Sequence, residues 1–497
     1  MYTGHGFNKW GIGDVDIIKK GDVYHLFHLV LPNHAYIAHA VSRDGLHWER
    51  VKNALFIGDP GQWDDSMLWT MHVSRDPDSP GAFRMFYTGL TSGERGRIQR
   101  IGMAESDDLF SWRKSDENPY PLSVDGEHYE SRLDEGRHWV SFRDPFFYQD
   151  DERRWLLATG RIKDGPVVHR GCVALAEEVE RDRFRFLPPL YFPGRYDDIE
   201  VPSLAKIGNR YYLIGSIRED IKVHYWWASR PEGPYRNFSD NVLLPKGNYA
   251  ARVCRDNGRV LIWNFFSPMN AVKGQSNLLP PPKELVVDER DELHLKSFYG
   301  FDGMVEQRIR WDELTPILAL KSTAGATNSP DAAGATLGTD SGMEVFCLKG
   351  IYEDFRLHGE LTLENNGKCG WAFHLDEQAS GYYVSIDPFK GLAQIRAWGK
   401  RPRGNIEDAF IYETLQAAYF VPQTDWPIQF ELVAFGKYLE LSIGGYVVIS
   451  LADEHYHRGR VGFYTEGGQI RLDNVTIEIL ESPKYEECDP VSEAQRP

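Results

Sequence analysis

Three carboxylates in the first half of the chain stand at nearly one distance ahead of an apolar, aromatic run. Asp14 lies ten residues before Tyr24, Asp144 eleven before Trp155, and Glu200 eleven before Tyr211. Acids at matched offsets in repeated units converge on one point if the units surround an axis. Like charges crowded into one pocket raise the pKa of at least one carboxyl. One acid then stays protonated while another is ionised, the division of labour that glycosidic-bond cleavage uses. Each acid also has a plainer reading. Asp14 sits in Gly13-Asp14-Val15-Asp16 as a turn residue, with Asp16 a rival for its role. Asp144, in Ser141-Phe142-Arg143-Asp144-Pro145, reads as a turn aspartate paired with Arg143. Glu200 follows Asp197-Asp198-Ile199, an acidic run that reads as solvated. The shared offset favours the joint functional reading over three separate structural ones.

The elements that must position these acids form a repeat. An apolar strand after a turn occurs at Tyr24–His28, Phe83–Gly89, Trp155–Gly160, Tyr211–Gly215 and Val260–Asn264, at intervals of roughly 50–70 residues. A second element trails it: Ser42-Arg-Asp-Gly-Leu-His-Trp48 matches Ser106-Asp-Asp-Leu-Phe-Ser-Trp112, and Ser229–Tyr235 is a weaker copy. Long helical patterns are scarce, and short strands between Gly, Pro, Asp and Asn dominate. Five units of about 60 residues, four strands each, describe a five-bladed β-propeller, with a pair of sandwiches as the competing architecture. The propeller is expected over 1–305 and a connecting segment and linker over 306–342. A β-sandwich of jelly-roll or concanavalin-like kind is expected over 343–482, and a polar tail over 483–497.

Bulk composition narrows the function. A formal net charge of -17 argues against nucleic acid and against an anionic membrane surface as partner, and suits a neutral substrate. The 13% aromatic content fits all-β packing and also offers rings on which sugars stack. The five cysteines, Cys172, Cys254, Cys347, Cys369 and Cys488, show neither CxxC pairs nor zinc spacing. That sparse set, with no apolar leader and no apolar stretch of spanning length, leads us to expect a cytoplasmic protein. Oligomeric state is not legible.

At these residues the sequence resembles glycoside hydrolase family 32, and is similar to the related five-bladed families 68, 43 and 62. Trp10–Phe27, with Val23-Tyr-His-Leu-Phe27, resembles the family's nucleophile motif and the strand after it. Phe142-Arg143-Asp144-Pro145 matches its Arg-Asp-Pro motif. Glu200-Val201-Pro202 matches its Glu-Cys-Pro motif except at Cys. Ala38–Trp48 and Leu279–Leu285 look like two non-catalytic family segments. The Asn that precedes the family's nucleophile and the Pro-Asn-Gly that follows it are absent here.

The resemblance implies a retaining β-fructofuranosidase acting on a sucrose-like or oligosaccharide substrate. Asp14 would be the nucleophile, Glu200 the acid/base, and Asp144, braced by Arg143, would bind hydroxyls and stabilise the transition state. Trp10, Asp16, Trp63, Asp64, Trp69 and Arg143 are the candidate sugar-binding residues. No metal or organic cofactor is required. Two readings compete: an inverting arabinofuranosidase or xylosidase with Asp14 as base, and a carbohydrate-binding propeller without catalysis.

Overall fold

A computed structural model describes residues 1–2, 11–115, 120–267, 278–311, 313–318, 327–330, 334–365, 367–400, 410–422 and 425–483. Trp10 and Cys488 lie outside the described residues. The chain divides into two compact units, one holding residues 1–267 and 278–294, the other 295–483.

The first unit is a five-bladed propeller. Its inner strands are Gly11–Lys20, Met67–Arg75, Arg143–Gln149, Glu200–Ile207 and Asn248–Asp256, and each opens an antiparallel sheet whose strands follow in chain order. Four sheets have four strands; the first adds a short fifth, Leu55–Phe56, paired to its third strand. The expected turns join the first two strands of a blade. In blade five Asn257 and Gly258 both have positive φ, 48° and 82°, the two-residue turn whose twist suits a hairpin. Apolar clusters fill the spaces between neighbouring blades, such as Phe27, Leu68 and Met85 between the first two. The ring closes through side chains: Lys19 and Tyr24 of blade one both bond Asp256 of blade five.

The twin segments at 42–48 and 106–112 are one turn built twice. Ser42 Oγ accepts from Gly45 N–H at 2.8 Å, and Asp44 accepts from the N–H groups of Leu46 and His47 at 2.8 Å each. Ser106 and Asp108 repeat this with Leu109, Phe110 and Ser111 at 2.8, 2.8 and 2.7 Å. Trp48 and Trp112 each cap the turn by donating to the carbonyl three residues back. The shared Ser, Asp and Trp are thus the turn's own hydrogen-bonding parts.

The second unit is a sandwich of an eight-stranded and a seven-stranded sheet. Alternation along Leu392–Lys400 buries Ala393, Ile395 and Ala397 in its core and turns Gln394, Arg396 and Trp398 outward. The stretch read as a linker is structured in large part: Val305–Arg310, Leu314–Pro316, Thr327–Pro330 and Gly334–Gly338 all join these sheets. The short strands Thr327–Pro330 and Gly334–Gly338 carry too few large apolar residues to show as strands in the sequence. At the rim, the Gln416 side chain donates to the Ser450 carbonyl and accepts from the Ser450 N–H, both at 2.9 Å. Ser450 lies on Tyr446–Ala452, the edge strand of the eight-stranded sheet.

Candidate active site

All five inner strands carry a bulge near their start. The extra residues are Gly13-Asp14, Thr70, Asp144-Pro145, Val201-Pro202 and Ala250-Ala251. In blades three to five the first bulge residue is left-handed although it is not glycine: Asp144 at φ 58°, Val201 at 52° and Ala250 at 52°. Such backbone costs of order 1–3 kcal/mol and clusters at functional sites. The three acids do not share one register, contrary to the expectation of equivalent positions. Glu200 is the last residue before its bulge, Asp144 the first residue within, and Asp14 the second. The bulges still bring them together, because each re-aims side chains at the start of an inner strand.

Arg143 ties the cluster. Its Nη2 donates to Glu200 Oε1 at 2.5 Å and to Asp198 Oδ2 at 2.9 Å, and its Nε lies 3.4 Å from Asp144 Oδ2. It braces three carboxylates, more than the single partner read from the sequence. Asp144 Oδ2 also accepts from Thr159 Oγ1 at 2.7 Å and from Val201 N–H at 3.2 Å. The Thr70 hydroxyl bonds Asp14, and the Tyr249 hydroxyl bonds Glu200. Asp198 is not part of a solvated run. It is 1% exposed and held by Arg143 and Arg137, while Asp197 meets Arg137 and Arg161.

Electrostatics follow from this crowding. Burial, then the charge of Asp144 and that of Glu200, pushes the Asp14 carboxyl up to about 7, against the pull of Thr70 and Arg252. Burial also raises Glu200, helped by Asp144 and Asp198 and opposed by Arg143 and Tyr249. For Asp198 burial is outweighed by Arg143 and Arg137, which hold it below the usual carboxylate range. Asp14 and Glu200 therefore titrate as a pair that keeps a proton at a pH where isolated carboxyls have lost theirs.

The remaining expected residues divide. Asp16 does not replace Asp14: it is 1% exposed and binds Val73 N–H at 2.6 Å and His72 Nδ1 at 3.2 Å, fastening blade one to blade two. Asp64 is buried and accepts from Tyr87 and Lys114. Trp63 lies nearly parallel to Tyr87, 5.7 Å away, over Gly89 and Gly102, where any Cβ would strike its ring. Both belong to the wall of blade two. Trp69 immediately precedes Thr70 on the strand that touches Asp14, and its buried indole N–H has no acceptor among the described residues.

Thr70, Arg137, Asp198, Tyr249 and Arg252 were missed. Tyr249 carried a signal, since it stands eleven residues before Val260, the offset of the acids, on a residue that is not an acid. Gly13 occupies the place of the family's Asn, and a Cβ there would lie 2.9 Å from Leu29 Cβ, so the strand beneath leaves no room for that side chain. A cavity of about 680 Å³ lies at the other end of the inner strands, lined by Tyr148, Lys206, Tyr211, Arg230, Glu232 and Arg255, and it touches none of the three acids.

A five-bladed propeller with acids at the bulged starts of its inner strands defines a class of carbohydrate-active domain. The sequence model described as Glycosyl hydrolases family 32 N-terminal domain matches residues 15–293, more than half of the chain, and the protein belongs to glycoside hydrolase family 32. The match begins one residue after Asp14. A levanase of Bacillus sp. (strain L7) is 35% identical over 140 residues, covering 27% of this chain and 14% of the levanase. Beta-fructofuranosidase 1 of Zea mays is 36% identical over 104 residues, 19% of this chain and 15% of the maize protein. The chain thus aligns with only a small part of these relatives. Among solved structures, an exo-inulinase from Aspergillus awamori superposes with a TM-score of 0.67 at 14% identity, over 95% of this chain and 96% of that one.

Proposed function

We propose that this chain is a glycosidase that hydrolyses a terminal furanoside, a β-fructofuranosidase acting on sucrose or fructans with retention. The observation that carries this reading is the pair of Asp144 and Glu200 on Arg143, with Asp14 close enough to feel both carboxylates, at the inner-strand bulges of blades one, three and four of a family 32 propeller. Asp14 attacks the anomeric carbon and forms a glycosyl-enzyme. Glu200 protonates the leaving oxygen and then deprotonates the water that releases the sugar. Asp144, fixed by Thr159 and the Val201 amide, binds ring hydroxyls and stabilises the oxocarbenium-like transition state. The proton retained by the pair must sit on Glu200 at the moment of attack. Positive charge developing beside Asp14 favours that distribution, since it stabilises the Asp14 carboxylate.

Release of reducing sugar from sucrose, inulin and levan tests the activity. Glu200→Gln should lower turnover by at least about a thousandfold, since it removes the only proton donor for the leaving group, while circular dichroism stays unchanged. Full activity in that variant would overturn the assignment. With methanol as acceptor, retention gives a methyl furanoside with the substrate's own anomeric configuration, read by NMR.

One observation favours a second reading, an inverting arabinofuranosidase or xylosidase. The closed space at Gly13 rules out the Asn that borders the nucleophile in the family, so the reactive subsite is shaped differently. Aryl arabinofuranosides and xylosides in the same screen, with inverted first products, would select it.

A further inference from the structure

The Arg143 guanidinium is divided among several acceptors. Its Nη1 donates to Ser141 Oγ at 3.1 Å and to Gln99 Oε1 at 3.3 Å. Its Nη2 donates to Asp198 Oδ2 at 2.9 Å and to Glu200 Oε1 at 2.5 Å, and Nε faces Asp144 Oδ2 at 3.4 Å. A guanidinium offers five N–H donors in a fixed plane, so this set leaves none over, and Glu200 receives a single one.

Two of these acceptors are shared with a second arginine. Arg137 Nη1 donates to Asp198 Oδ2 and its Nη2 to Asp198 Oδ1, both at 3.1 Å, and Nη2 also bonds Ser141 Oγ. Arg137, Asp198, Arg143 and Ser141 therefore close a ring of hydrogen bonds. The sequence builds it from two short segments. Phe142, between Ser141 and Arg143, is buried in one apolar cluster, and Ile199, between Asp198 and Glu200, in another. Extended backbone turns the neighbours of each buried residue to the opposite side, where the two polar pairs meet.

Against the effect of burial, Arg143 and Arg137 keep Asp198 below the usual carboxylate range, so it is ionised at neutral pH. The charged and titratable groups facing Glu200 are Asp14 of blade one, Arg143 and Asp144 of blade three, Asp198 on its own segment and Tyr249 of blade five. Those facing Asp198 are Arg137, Arg143, Cys172 and Glu200. Of all these, Asp198 and Asp144 contest Arg143 with Glu200.

We propose that Asp198 is a positioning residue: clamped by Arg137, it holds one hydrogen of Arg143 Nη2 and so limits that guanidinium to a single hydrogen bond with Glu200. It acts through Arg143 and does not touch the sugar. With the fork divided in this way, Glu200 is not fixed as a carboxylate and can carry the proton for the leaving group. This rests on the role given to Glu200 above and adds a determinant of that role. The family motifs quoted earlier contain Arg143 and Glu200 but neither Asp198 nor Arg137.

Three variants test the division. Asp198→Asn keeps the size and removes the charge, so Arg143 and Arg137 turn more of their attraction on Glu200. The Glu200 carboxyl is followed by carbon-13 NMR titration in the full chain without substrate, with Glu200→Gln identifying its signal. In Asp198→Asn it should lose its proton about one pH unit or more lower. The basic limb of kcat/KM, which Glu200 sets as proton donor, should move down with it. Arg137→Gln frees Asp198 to draw more of Arg143, and should move both upward. Asp197→Asn removes a neighbouring charge that meets Arg137 and Arg161 but not Arg143, and should leave both near wild type. General loss of packing would not move two variants in opposite directions. An unchanged Glu200 midpoint in folded Asp198→Asn overturns the proposal, as does an equal fall in Asp197→Asn. Should Asp198→Asn fail to fold, Arg137→Gln decides alone: a raised midpoint supports the proposal, and an unchanged or lowered one overturns it. A wild-type chain with no glycosidase activity would sink the proposed function and leave the titration to judge Asp198 separately.

Discussion

At the scale of single residues, the site combines acids that want a proton with cations that want it gone. Asp14 is the clearest case, raised to about 7 from an ordinary value of 3.8. A carboxyl raised in the folded state favours folding while it is protonated, and that stability drains away as pH climbs from about 4 through about 7. Asp14→Asn should therefore be inactive, melt like wild type at pH 4, and melt higher than wild type at pH 8, by a stability gain on the order of 2 kcal/mol. Thermal unfolding at the two pH values checks it, and equal curves at pH 8 would contradict the burial argument. The acids Asp14, Asp144 and Glu200 were legible because their offsets repeat. Asp198 was not, since an acidic run in sequence looks solvated until Arg137 and Arg143, about 60 residues away, fold over it. Arg252 was hidden for a similar reason: its partners are two carbonyls and a serine hydroxyl on other strands, which no side-chain pattern announces.

At the scale of elements, the repeat was readable as strand and turn but not as bulge. The offset from acid to strand differs by one residue between Asp14 and the other two. That difference reflects bulges that place the acids at three successive positions. The twin turns show the opposite case, where sequence identity and structure coincide down to single hydrogen bonds. Asp44 and Asp108 each accept two turn amides and stand below the usual carboxylate range, Asp44 against its burial through His47 and Asp108 first through the Ser111 amide. Asp44→Ala and Asp108→Ala should each cost about 1 kcal/mol at pH 7, the usual worth of such a cap. Both groups have lowered values, so the cost should persist at neutral pH and shrink only below about pH 4, as the wild-type carboxylates protonate. Denaturant midpoints at pH 7 and pH 3 measure this. The strands Thr327–Pro330 and Gly334–Gly338 were missed because small residues pair well in a sheet without leaving an apolar alternation to read.

At the scale of the whole molecule, burial governs what reagents can reach. Cys172, Cys254, Cys347 and Cys369 are free and buried, and burial pushes the last three up to about 12 and Cys172 well above its usual value. A thiol reagent should label none of these four in the native protein, so at most one of the five cysteines, Cys488, reacts until denaturant is added. Labelling of Cys254 or Cys369 without denaturant, seen by peptide mass, would contradict the packing. The sandwich buries a polar contact of a different kind at Gln416, which is 5% exposed against a fully buried Ser450. Its amide meets both backbone groups of Ser450 in the way a neighbouring strand would. Gln416→Ala removes those two interior hydrogen bonds and should cost about 1–3 kcal/mol without touching the acid pocket. The variant should retain the wild-type activity per folded chain yet unfold at lower denaturant. In that sense one glutamine serves as a strand in miniature, and the durability of the second unit depends on a side chain that has no part in the chemistry.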